Sequence, residues 1–121
     1  MSATLPRPIS PNEVALIQEA LSVAATPEAK PAMLEGLSQL QVVHRCPCGC
    51  ASISFTVPED SNQKLLRVAD AEGFTSQGES VGFLVQATAM QVAHVEVYWH
   101  HTAGAPLPVL GSLRPNGASN T

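Results

Sequence analysis

Two periods of apolar residues divide this chain. Between residues 10 and 39 they recur at helical spacing, and from residue 40 to 100 they alternate. Val14, Ile17, Leu21 and Ala24 form the helical stripe, with Leu16 and Ala20 beside it and Gln18, Glu19 and Ser22 turned away. Ser10 is a good N-cap, Pro11 suits the first helical position and Glu13 completes a capping box. Pro27 ends the helix. A second, shorter helix is expected over about residues 30–39, with Met33, Leu34 and Leu37 facing inward, because Pro31 is awkward in a helix begun at residue 27. So short an interval between helices predicts a helical hairpin.

The alternating half predicts strands at 41–46, 50–57, 65–74, 79–87 and 91–100. In the second, Ala51, Ile53, Phe55 and Val57 alternate with Cys50, Ser52, Ser54 and Thr56, an apolar face against a polar one. In the last, Ala93, Val95, Val97 and Trp99 are apolar, and His94, Glu96, Tyr98 and His100 lie on the other side. The expected fold is therefore α+β: an N-terminal helical pair packed on one face of an antiparallel, meander-like sheet of about five strands. Residues 1–9 read as a loose arm, 10–110 as one domain and 111–121 as an irregular tail.

All three cysteines sit at alternate positions in Cys46-Pro47-Cys48-Gly49-Cys50. Pro47-Cys48-Gly49 suits a three-residue hairpin loop, with proline at the first position and glycine at the left-handed third. Cys46 then faces Cys50, and residues 44, 43 and 42 face 52, 53 and 54. That register puts Val43, Ile53 and Phe55 on the core face, and His44, Cys46, Cys50, Ser52 and Ser54 on the other. Cys48 stands at the tip. Cys46, Cys48, Cys50 and His44 are the candidate metal ligands, since zinc takes about four sulfur or nitrogen donors at about 2.0–2.3 Å. One residue between thiols is, however, closer than the usual zinc knuckle. The default reading of the same residues is small side chains filling a structural hairpin, and a further one is redox thiols activated by Arg45 and the histidines. No cofactor is expected, and zinc is the one that the thiols admit.

Composition narrows the partners. Of the 121 residues 45% are hydrophobic and 13% charged, which is globular, and the net charge is −4. The six basic residues are scattered, so no cluster tracks a phosphate backbone or an anionic membrane. The start of the chain lacks the basic and apolar regions of a signal peptide, which with the odd cysteine count implies a cytoplasmic protein. Phosphate-loop, dinucleotide and His-Glu-x-x-His motifs are absent. A thiol nucleophile at Cys48 or Cys50 with His44 and Glu96 has no helix N-terminus behind it. His100 and His101, adjacent in a strand, point to opposite faces. No catalytic residue is assigned, and the reading is a non-enzymatic interaction module with a protein partner or a second copy. The alternatives are a zinc protein and a redox thiol protein.

The segment Arg45-Cys46-Pro47-Cys48-Gly49-Cys50-Ala51-Ser52 resembles a group of small bacterial proteins of uncharacterised function that share a Cys-x-Cys-Gly-Cys-x-Ser hairpin. That group is similar in its leading helix pair, in a late strand like Val95-Glu96-Val97-Tyr98 and in a Pro-rich close like Ala105 to Val109. The resemblance covers most of residues 11–110. It implies the same fold and a bacterial, non-secreted setting, and it implies no activity.

Overall fold

The computed structural model describes residues 5–45, 47, 50–56, 64–88, 91–99 and 104–116. Strand β1 (Arg7–Pro8) leads into helix α1 (Pro11–Val23), the short helix α2 (Ala32–Glu35) and a 3₁₀ turn at Leu37–Gln39. Strands β2 (Gln41–Arg45), β3 (Ile53–Phe55), β4 (Leu66–Phe74), β5 (Ser80–Ala87), β6 (Val92–Tyr98) and β7 (Arg114–Pro115) follow. All pair antiparallel in one sheet of order β1-β2-β3-β6-β5-β4-β7.

Helix α1 begins as its sequence dictates. The Ser10 hydroxyl accepts from Glu13 N–H at 3.1 Å, and the Glu13 carboxylate accepts from Ser10 N–H at 2.9 Å. Arg7 on β1 donates to both Glu13 oxygens, at 3.0 and 2.8 Å. Burial alone would push the Glu13 carboxyl up, but these hydrogen bonds and the Arg7 charge hold it below the usual range. The buried stripe is rotated slightly from the expected one. Leu16, Ile17 and Ala20 are fully buried, and Val14 and Leu21 only partly. They share one buried cluster with Val81, Phe83 and Val85 of β5, where each large side chain contributes about 1.5–3 kcal/mol.

The expected helical pair is one full helix and a single turn. Gly36 (φ −100°, ψ 6°) interrupts the span 30–39, and Met33 and Leu37 face the core while Leu34 is exposed. The segment after α1 joins the sheet instead of turning into a hairpin. Thr26 N–H donates to Val68 C=O, and Asp70 N–H to Ala24 C=O.

The five expected strands are present, but not as a meander. β3 lies beside β6, with Ile53 opposite Val95, and β4 lies two strands further on. The thiol register also differs. Val42 faces Phe55, His44 faces Ser54 and Arg45 faces Ile53, with a bulge at Val43. The bulge reverses the alternation, so Val42 is fully buried and Val43 is 42% exposed.

The ends of the chain are drawn in as well. Residues 5–9 of the expected arm carry β1, and Ile9 is buried. Residues 104–116 form a strap along the core, in which Ala105 and Leu113 are buried. Ala105 C=O accepts from Ala51 N–H, and Val109 N–H reaches Phe74 C=O. The Glu19 carboxylate on α1 accepts from Gly111 N–H at 2.8 Å and Leu113 N–H at 2.9 Å, fastening the strap to the helix. Both outermost strands are Arg-Pro dipeptides, and each arginine is held by a glutamate, Arg7 by Glu13 and Arg114 by Glu72. Among the described residues no helix is long and apolar enough to cross a membrane.

Candidate functional site

Helix α1 and the core occupy one side of the sheet. The other side is built in rows by the strand register. Its first row runs His44, Ser54, His94, Gln86 and Arg67 across β2, β3, β6, β5 and β4. The second runs Glu96, Leu84 and Asp70, and the third Tyr98, Gly82, Glu72 and Arg114. Directly opposed residues of an antiparallel pair share a face, so these side chains stand on one surface.

In the first row the Ser54 hydroxyl and His94 Nδ1 are 2.8 Å apart. Burial lowers the His94 pKa, the Glu96 charge opposes that shift and the His44 charge adds to it. Ser54, His94 and Glu96 superficially suggest a nucleophile, base and acid. The backbone N–H groups inside a sheet are already committed to its ladder, however, and cannot stabilise an oxyanion beside Ser54.

The meaning of the second and third rows comes from Gly82. A Cβ there would overlap the Tyr98 ring, at 2.5 Å from Cε2 and 2.6 Å from Cε1. The ring therefore lies across the glycine with one face against the sheet. Asn116 Nδ2 donates to the Tyr98 hydroxyl at 3.0 Å and to Asp70 Oδ1 at 3.1 Å. Glu72 accepts from Ser80 Oγ at 3.3 Å and pairs with Arg114 Nε at 3.4 Å. A depression of about 270 Å³ opens here, lined by Glu72, Ser80, Gly82, Tyr98, Trp99 and Asn116. The tyrosine and the alternation His94, Glu96, Tyr98 are legible in the sequence. Gly82 inside an apolar strand was the overlooked signal, since such a glycine marks a close approach.

Of the candidate metal ligands, Cys46 and Cys48 lie outside the described residues. Cys50 packs against the core cluster, and its Sγ donates to Ser52 Oγ at 3.4 Å. His44 is exposed at the end of the first row, in electrostatic reach of His94. Among the described residues no three His, Cys, Asp or Glu side chains are grouped to hold a metal ion.

Ser52 itself is buried, where a solvent-facing position was expected. Its hydroxyl accepts from Val97 N–H at 2.8 Å and donates to Val97 C=O at 3.2 Å. Beyond Ile53 the backbone of β3 leaves β6, and Ala51 turns to the strap at Ala105. The hydroxyl supplies the two bonds that the backbone no longer makes. It also connects the described end of the thiol segment directly to β6.

Comparison with protein-family models, with curated proteins and with solved structures returned no match for this chain.

Proposed function

We propose that the chain is a non-enzymatic binding module that meets a protein partner through the outer face of its sheet. The observation that supports this reading is the Tyr98–Gly82 contact. It holds an aromatic ring flat on a surface that α1 does not cover, ringed by groups able to hydrogen-bond. Aromatic side chains that keep 39% of their surface exposed while fixed in one orientation are suited to recognition at low entropic cost. The setting is the bacterial cytoplasm, as the thiol hairpin's resemblance implies, and neither nucleic acid nor a membrane is the partner.

The test has two arms. Native mass spectrometry with elemental analysis of freshly purified, reduced protein should give a metal-free mass. About one equivalent of zinc, lost on Cys46→Ser or Cys50→Ser, would establish the zinc reading on Cys46, Cys48, Cys50 and His44 instead. Fast alkylation of Cys48 in the folded protein would favour redox chemistry. In the second arm, a partner captured by the wild-type chain should be lost with Glu96→Lys and with Tyr98→Ser, and kept with Glu35→Lys, at an exposed position of α2. Equal capture by all four chains refutes the module reading.

A further inference from the structure

The third row shows one way in which this surface satisfies a cation. Arg114 Cζ stands 5.5 Å from the centre of the Phe74 ring while its Nε meets the Glu72 carboxylate at 3.4 Å. A guanidinium there is held by an aromatic face and a carboxylate together. On the other side of Glu72 the same two elements recur without an arginine of the described chain between them. Tyr98 lies flat on Gly82 with its outer face exposed, and Asp70, Glu72 and Glu96 stand on the same surface.

The charge around that ring is acidic. Asp70 and Glu96 flank Leu84 in the neighbouring row, and Glu72 faces Gly82 directly. Against these carboxylates stand Arg114, already engaged with Glu72, and Arg67 one row further away. The Tyr98 phenol registers the balance. Burial raises its pKa, the Asp70 and Glu96 charges raise it further, and Asn116 and Arg67 only partly offset them. A ring quadrupole and surrounding carboxylates both attract positive charge, and both repel an anion.

We propose that the depression over Gly82 is a recognition pocket for an arginine side chain of the partner, stacked on Tyr98 and paired with Glu96 and Glu72. The depression of about 270 Å³ accepts a side chain rather than a folded surface. Ser80 and Asn116 stand beside it as hydrogen-bonding groups. Guanidinium fits better than ammonium because it is planar, stacks on an aromatic face and presents several donors to separate carboxylates. This pocket rests on the module reading and names the chemistry of its partner.

The probe is acetyl-Gly-Arg-Gly-amide, titrated into the ¹⁵N-labelled full chain, with its neutral citrulline isostere in parallel. Saturable shifts are expected at the amides of Gly82, Tyr98 and Asn116, weakened by salt and at least about tenfold weaker with citrulline, which keeps the shape and loses the charge. Glu96→Gln, at an exposed position, should weaken binding by about fivefold, and Tyr98→Leu should abolish the shifts while the rest of the spectrum stays in place. Equal binding of the citrulline peptide, shifts elsewhere, no shifts, or indifference to Glu96→Gln each overturns the proposal. Sedimentation at the same protein concentrations reads a second copy as occupant. A dimer dissociated by Arg67→Ala would put this chain's own arginine in the pocket and overturn the partner assignment. A partner captured through the sheet face in the absence of peptide binding would leave the module standing and remove only the arginine pocket.

Discussion

Ser52→Ala is the sharpest single perturbation of this fold. The hydroxyl is buried and serves Val97 N–H and C=O, so its removal leaves both backbone groups without these partners. A buried polar group stripped of its partner costs about 1–3 kcal/mol, which makes about 2–6 for the pair. Partial relaxation around Cys50, which is only half-buried, places the expected loss near about 2–4 kcal/mol. Against a total of about 5–15 kcal/mol for a domain, that is a large fraction. Urea unfolding followed by the fluorescence of Trp99, the sole tryptophan, measures it. With a slope of about 1.5 kcal/mol per molar, the midpoint should fall by roughly 1.3–2.7 M at unchanged slope. Ser54→Ala is the control. It removes one bond to a half-buried histidine and should cost less than about 1 kcal/mol. A midpoint for Ser52→Ala within experimental error of the wild type would mean that the ladder between β3 and β6 closes without the hydroxyl, and would refute the account of this junction.

Gly82→Ala should destabilise by about 1–2 kcal/mol, because overlap with Tyr98 outweighs the usual gain from replacing a strand glycine; in a Tyr98→Ala background the same change should be neutral or stabilising, and additivity of the two would refute the contact. Gly36→Ala, where an added Cβ meets nothing, should instead stabilise by about 0.4–1 kcal/mol in the same urea assay. Glu19→Ala should speed amide exchange at Gly111 and Leu113 well before the sheet opens, and unchanged protection there would show that the strap does not depend on α1. His94 is more basic unfolded than folded, so the unfolded chain binds the extra proton; stability should be full above pH about 6.5 and decline as pH falls through the lowered folded value, a slope that His94→Gln removes. A histidine NMR titration that finds His94 at or above the ordinary value would overturn that sign.

The strands were legible because a two-residue period needs only local sequence, and their neighbours were not. Ser52 to Phe55 reads the same whether β4 or β6 lies beside it. The choice is made by β6 and by the strap that takes up Ala51. The bulge at Val43 shows how fragile a face assignment is. One extra residue exchanged the roles of Val42 and Val43, while nearer the turn His44 already faces Ser54, two residues from the expected Ser52. Two-residue strands such as Arg7–Pro8 have no period to detect. For the site, His94, Glu96 and Tyr98 share a face by simple alternation. Asp70 and Glu72 join them only once β5 is known to lie between β6 and β4. The expected second helix breaks at Gly36, because the helical spacing of Met33 and Leu37 continues across a glycine at which the backbone does not.

The two Arg-Pro dipeptides at the sheet's margins carry a consequence for solubility. A proline cannot donate to an incoming strand, and a charged neighbour makes docking there costly. Their position, at the two extremes of the periodic region, means that trimming the chain to residues 10–110 would remove both at once. It would bare the backbone of β2 at Gln41–Val42 and of β4 at Ala71–Glu72. What looks in sequence like dispensable ends thus acts as a pair of stoppers, keeping an alternating, sparsely charged sheet from templating its own growth.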